Sequence, residues 1–516
     1  MMKKLYITIL LAATGSVALA QQKSNSNAPA ALELRQQRSL WEQSGNPAGL
    51  KLDGPYRYSQ IKAGYEAYDG DFRRPQEGAS GNRQIAETEG RILLDSFYVT
   101  GKFSYRRESI QDANFNASII DPFRGMPYII ADANPSDWVQ QHYNLQFRVS
   151  TPFYGRWSWG LAGSYSASSG AKQRDVRSED NFYSLSVTPG VVYSISPNQH
   201  VGLNLRYANT KEEASMKNVN TYVDQTYYEL LGLGTAVSNL GSGRTNNYEG
   251  DSWGGGIQYQ YKGPLNFLAN VNYLVEGEGL TVSYTLPRDG GSVIRKSWQA
   301  GAAVQKESGK LLHSLGAQYY NRHIDGIQYV TQRDNSQAQQ GWLSLAKYIR
   351  STFKTQELGL KYSLTGKRGP EDYSWMADVS ALYAKLNDEY ILPYSYKQAE
   401  NLLVTIGGKK NFLLSAARES RLQLGVRAGL NRNLSGGYQY NGQHADYPTV
   451  TDLETNDWRY LASDFVRVEL PVTYSLRIGE DRQRVLFVNA FGRYTKASSF
   501  GFDNRYTFGG SVGLNF

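Results

Sequence analysis

The sequence predicts an all-β fold: a transmembrane, antiparallel, up-and-down β-barrel of about 18 strands (roughly 16–20 by pattern) after a short N-terminal non-strand segment. Three observations predict it. Apolar and polar residues alternate with period two along most of the chain. The links between alternating stretches come in two sizes, one short and one long. Mean hydropathy is −0.52, with no long apolar run beyond the N-terminus, which excludes a helical membrane protein.

In chain order, Lys3 and Lys4 precede an apolar run from Leu5 to Ala18, and Ala18-Leu19-Ala20 has the small-x-small pattern of a cleavage site. Residues 1–20 therefore read as a secretory signal peptide. The run is short for a membrane-spanning helix, and no Cys at the cleavage point offers a lipid anchor. Residues 21–55 are not strand-like. "APAALELRQQRSLWEQ" suits a helix that Gly45-Asn46-Pro47 ends. This segment reads as a luminal plug, a periplasmic docking peptide or a loosely ordered leader. Leu40 and Trp41 favour cover over water.

Residues 56–516 form the barrel. "RLQLGVRAGLN" sets Leu422, Leu424, Val426, Ala428 and Leu430 against Arg421, Gln423, Gly425, Arg427, Gly429 and Asn431. "ELGLKYSL", "VGLNLRYA" and "FVRVELPVTYSLR" alternate likewise. Strands are expected near 56–68, 83–94, 97–108, 138–151, 157–170, 180–193, 200–211, 248–262, 265–278, 292–306, 310–324, 351–365, 372–387, 397–412, 419–434, 460–477, 483–497 and 503–516. A soluble sandwich also alternates. Long strands joined alternately by tight turns (Asp95-Ser96, Lys262-Gly263-Pro264, Ser308-Gly309, Gly479-Glu480-Asp481) and by long polar loops point instead to an outer-membrane barrel. An even strand count puts both ends on the periplasmic side. The last strand alternates through Tyr506, Phe508, Val512, Leu514 and Phe516, so its apolar face meets lipid and its edge pairs with the first strand. Phe508, Val512, Leu514 and Phe516 resemble the terminal signal that the barrel-assembly machinery reads.

By parity, Arg206, Glu357, Lys361, Arg421, Arg427, Arg467, Glu469 and Arg477 point into the lumen. They suit either a polar pathway with some anion preference or a static ion-pair lattice that braces the wall. Outer loops are expected within 110–136, 213–246, 326–349 and 436–459. "SIIDPFRGMPYIIADANPSDW" (118–138) is unusually apolar for such a loop. Asp121, Phe123, Arg124, Tyr128, Asp132 and Trp138 mark it as a contact surface or an inward-folded constriction, or else as an extension of the barrel wall. Tyr227–Leu240 and Gln339–Arg350 read as short helices.

Catalysis finds little footing. There are no cysteines and five histidines, none in a zinc spacing. His323 with Asp325 is the best local pair, more simply a surface polar pair at a strand end. No nucleotide fingerprint joins a strand to a helix, so no cofactor is expected. The net charge of +8 is spread along strands, which argues against nucleic acid. Outer-membrane lipid, the assembly machinery and a partner outer-membrane receptor or lipoprotein are the expected partners.

The layout of terminal Phe516, hairpin rhythm and strands such as "GKFSYRRE" and "WSWGLAGSY" resembles outer-membrane barrels of the Bacteroidota kind. "GNPAGL" (Gly45 to Leu50) is similar to the Asn-Pro-Ala segment of the long-chain fatty-acid transporter family, where it belongs to a hatch within the lumen. The leading reading is an outer-membrane barrel that transports or gates a small solute, alone or as the barrel partner of an uptake system. A structural barrel with a filled lumen, scaffolding an outer-membrane complex, is the alternative.

Overall fold

The computed structural model describes residues 26–220, 222–223, 225–240, 243–283, 285–336, 341–479 and 484–516. The expected signal peptide, and the expected turn from Glu480 onward, lie outside the described residues. Among the described residues, 18 strands close into one antiparallel barrel. They are β1 Tyr58–Gly70, β2 Ser80–Leu94, β3 Phe97–Ala113, β4 Ser136–Ser150, β5 Trp157–Lys172, β6 Arg177–Ser196, β7 Gln199–Lys217, β8 Arg244–Lys262, β9 Asn266–Val282, β10 Arg288–Ser308, β11 Leu311–Asp334, β12 Gly341–Gly369, β13 Asp372–Tyr390, β14 Ser395–Ser415, β15 Ser420–Gln439, β16 Phe465–Ile478, β17 Arg484–Ala497 and β18 Asn504–Asn515.

Each strand pairs with the next, and β18 returns to β1 from Gln60↔Asn515 to Gly70↔Arg505. Ser59 and Phe516 extend that seam by exchanging backbone bonds of 2.7 and 2.9 Å. Closure matters because each unpaired backbone group in hydrocarbon costs several kcal/mol. The outward face is apolar: Leu424, Leu470, Phe508 and Val512 are 41–54% exposed. Aromatic pairs span neighbouring strands near its rims, Trp157 with Tyr193 at 4.6 Å and Tyr207 with Trp253 at 4.5 Å. Trp253 and Tyr261 share the outward face of β8 and lie ~20 Å apart along the axis at ~3.3 Å per residue and ~40° tilt, close to the apolar height such barrels present to lipid. The chain is an outer-membrane protein.

Three elements differ from expectation. Thr226–Gly232 and Thr235–Leu240 form a hairpin, not a helix, because Gly232, Leu233 and Gly234 all take positive φ and reverse the chain. Together with Ile130–Ala131 the hairpin makes a small three-stranded sheet. Residues 341–350 open β12 rather than form a helix: they pair with β11 from Asp334↔Gly341 to Ile327↔Ile349. Tyr460 and Leu461, expected to begin a strand, end a helix (Thr455–Leu461) in the β15–β16 loop.

Leu424→Arg puts a charge on the lipid face at a cost of about 2–4 kcal/mol near mid-bilayer. It should sharply lower the fraction with folded mobility on unheated gels. Thr473→Arg, at lumen parity on β16, should assemble normally; equal assembly of the two would refute this register.

Candidate functional site

The N-terminal segment enters the lumen from the short-turn, periplasmic end. Helix α1 (Pro29–Arg38) buries Ala30 and Leu34 against Leu312 and Tyr373 of the wall. Its Glu33 accepts hydrogen bonds from the Tyr373 hydroxyl at 2.6 Å and the Gln423 amide at 3.3 Å, and pairs with Lys409 at 2.6 Å. Arg35 and Arg38 pair with Glu371 and Glu307. Gly45, at φ 79, ends the next short helix (Trp41–Ser44).

Trp41 is fully buried and donates from Nε1 to Gln260 Oε1 at 2.7 Å. Asn46 Nδ2 donates to the Val191 and Leu203 carbonyls and to Gln258, while its Oδ1 accepts from Ala48 N. This contact needs a wall without side chains. Gly160 and Gly190 oppose each other on β5 and β6, and Gly202 on β7 sits opposite Val192, two residues along from Gly190. A Cβ at Gly160 would run into the Ala48 backbone, one at Gly190 into Asn46 Oδ1, and one at Gly202 would come 2.8 Å from Asn46 Nδ2. Asp53 folds back to accept from the Trp41 and Glu42 amides at 3.1 and 3.0 Å. Burial pushes its carboxyl up to about 7 against those two bonds.

The apolar β3–β4 loop folds inward at the opposite end. Phe115, Met126, Tyr128 and Ile129 pack with Tyr228, Tyr248, Leu280, Val293 and Ile324. Wall residues bolt it down. Glu212 accepts from Ser118 Oγ at 2.8 Å and from Ile119 N at 2.8 Å. Arg124 pairs with Glu278 at 2.9 Å, beside Arg295 on the same carboxylate. Asp132 meets Lys172, both sealed from solvent. Asp121 accepts from Phe123 N at 2.9 Å, and the Arg74 guanidinium lies 3.5 Å over the Phe123 ring. Tyr128 is buried and its carbonyl accepts from Tyr248 at 3.2 Å; Trp138 is buried at the start of β4. The β15–β16 loop joins this mouth through Asp457, bound by Arg74 at 2.6 Å and Lys397 at 2.8 Å. Burial alone would push the Asp457 carboxyl up; the two cations override it and hold the group well below the ordinary carboxylate range.

The charges placed in the lumen by parity divide in two. Arg421 pairs with Asp372 at 3.5 Å, and Arg477 meets Glu419. Arg427 lies 3.9 Å from Asp378 and 4.0 Å from Glu469, which Arg493 holds at 2.6 Å. Arg467 donates to Thr495 at 3.2 Å. These belong to a lattice along one side of the lumen. Arg206 and Glu357 instead line a cavity of 810 Å³ between the N-terminal segment and the mouth, together with Arg148, Glu276 and a wall of Asn, Gln, Ser and Gly. Lys361 lines a neighbouring space of 460 Å³ beside α1. His323 and Asp325 bond at 2.9 Å but sit at outward parity, beside Lys296, away from the cavity.

Sequence reasoning missed the clamps Lys172, Glu212 and Glu278 and the glycine platform. Glycines inside strand patterns are the one signal that pointed to close approach of another backbone.

The fold and its contents define an outer-membrane barrel whose lumen is occupied by its own chain from both ends. Residues 47–516 match the "Family of unknown function (DUF6850)", and the chain belongs to that family. Among solved structures it is similar to BauA, the ferric preacinetobactin receptor from Acinetobacter baumannii, at 10% identity and a TM-score of 0.43 over 90% of this chain and 80% of that one. The copper transporter OprC follows at 10% identity, TM-score 0.41, 90% and 81%, and the unliganded ferric citrate transporter FecA at 8%, 0.41, 89% and 78%. Similarity this slight bears on neither substrate nor mechanism. No curated protein matches the chain. A Bacteroidota origin and a link to the fatty-acid transporter family gain no support from these likenesses.

Lys172→Met leaves Asp132 buried and unpaired, a loss of roughly 3–5 kcal/mol. Trypsin added to intact cells should cut after Arg124 in this variant and spare the wild-type loop. Equal protection would mean that the apolar cluster alone holds the loop.

Proposed function

We propose that this protein is an outer-membrane channel or transporter for a small polar solute, working alone or as the barrel of an uptake system with a partner receptor or lipoprotein. The observation that carries the reading is the 810 Å³ cavity in the lumen beside the N-terminal segment, where charged and amide side chains share the wall with apolar ones, a volume within the ~300–1,000 Å³ typical of small-molecule sites. A lumen filled only for bracing has no use for such a space. In this reading Ser118–Trp138 is the outer constriction and residues 26–57 are the inner gate. The paired charges Arg421, Arg427, Arg467, Glu469 and Arg477 stiffen the wall, while Arg206, Glu357 and Lys361 face the path. Phe508, Val512, Leu514 and Phe516 serve the assembly machinery.

The alternative, a structural barrel scaffolding a complex, draws on the buried clamps of the mouth. Planar-bilayer recording of the purified protein separates the two. The wild type should show brief, small openings. Gly160→Val, whose side chain displaces Ala48 from the platform, should open longer and conduct several times more. Silence in both proteins would favour the scaffold.

A further inference from the structure

The cavity wall has a chemical bias. Following the strand register from β7 to β12, Asn204 opposes Gly256, Gly256 opposes Asn272, Asn272 opposes Gln299, Gln299 opposes Tyr320 and Tyr320 opposes Glu357. This is one transverse row of lumen-facing groups. The glycine in it leaves a shallow place: a Cβ at Gly256 would meet Asn272 Oδ1 and come 2.9 Å from Asn204 Oδ1, so both amides lean over it. The same happens one row nearer the periplasm, where a Cβ at Gly301 would come 2.7 Å from Asn270 Oδ1. The row thus offers amide donors and acceptors laid flat, as a neighbouring strand would.

The charges bordering the row are the second observation. Arg148 and Arg206 stand on β4 and β7, and Glu276 and Glu357 on β9 and β12. Many other lumen charges are neutralised in pairs, as with Arg427 and Glu469 or Lys62 and Glu87. Among the described residues none of these four makes an ion pair. Arg206, with Arg148 beyond it, therefore stands at the β7 end of the amide row and Glu357 at the β12 end, while Glu276 lies on β9 within the span, two rows nearer the mouth. From β7 to β12 is five strand spacings, ~24 Å along the curved wall at ~4.8 Å each. Side chains reaching inward shorten this to the span of a chain of roughly four to six extended residues.

We propose that the cavity binds short peptides with free termini: the C-terminal carboxylate at Arg206 and Arg148, the N-terminal ammonium at Glu357, and the peptide groups along the amide row. This deepens the transport reading and rests on it. A neutral oligosaccharide would use the amides and leave the end charges Arg148, Arg206 and Glu357 without partners. A simple anion or cation would satisfy one side only.

Calorimetric titration of the purified full-length protein with tetra-alanine tests the idea without requiring transport. Free tetra-alanine should bind, and blocking both ends by acetylation and amidation should weaken it at least about tenfold, as expected for loss of a charge-assisted bond. Arg206→Gln should weaken the free peptide yet leave the C-amidated peptide unchanged. Glu357→Gln should do the same with respect to the N-acetylated peptide. Folded gel mobility of each variant guards against a folding defect. Equal binding of free and blocked peptides, binding of maltotetraose instead, or no binding to a barrel that conducts ions would overturn the peptide assignment and leave the channel standing. Peptide binding by a barrel silent in bilayers would do the reverse.

Discussion

The structure depends on one constraint: inside a bilayer every backbone N–H and C=O must find a partner within the protein. The seam between β1 and β18 meets it, running from Gln60↔Asn515 to Gly70↔Arg505 and finishing with the paired bonds between Ser59 and Phe516. Once the sheet closes, side-chain parity follows. Leu424 must meet lipid and Gln423 must meet whatever fills the lumen. Gln423 meets α1, bonding to Glu33 and to Tyr373 at 2.7 Å. Closure therefore also decides that the interior has to be furnished with polar partners.

The interior is furnished unevenly. The two ends are tight and differ in chemistry. The mouth is apolar at its centre and locked by buried charges around Asp132, Glu212, Glu278 and Asp457, each of which would be costly to leave buried without its partners. The inner stopper is smaller and combines neutral hydrogen bonds from Trp41 and Asn46, the glycine platform and the part-exposed ion pairs of Glu33, Arg35 and Arg38. Neutral bonds and part-exposed ion pairs give way more readily than buried ion pairs. In the proposed reading the N-terminal segment is the stopper that moves, and the cavity lies directly above it.

Much of this was legible in the sequence, for a physical reason. Lipid on one face and polar lumen on the other force period-two alternation, so each of the 18 expected stretches overlaps one observed strand. Strand ends were less legible. β11 runs to Asp334 and β12 begins at Gly341, past the membrane, where both faces can be wet and alternation loses its cause. The Tyr227–Leu240 hairpin looked helical because its leucines mask a turn that depends on the backbone of Gly232 and Gly234. The inward fate of 118–138 was readable as an alternative from its apolar content. The clamps were not, since Lys172 and Glu212 look like any strand-end charges until the loop arrives. Arg206 and Glu357 could be placed in the lumen by parity, but whether a lumen charge is paired depends on strands far away in sequence.

The central claim is that the N-terminal segment gates the lumen. Gln37 Oε1 lies 3.0 Å from Thr365 Oγ1 on β12, and the chain has no native cysteine. A Gln37→Cys, Thr365→Cys protein bridged by a short thiol cross-linker would have its segment fixed at one end by the bridge and at the other by β1. The decisive measurement is the bilayer conductance of this protein before and after bridging. The account predicts that bridging abolishes the openings seen beforehand. Openings of unchanged size and frequency in the bridged protein would contradict it.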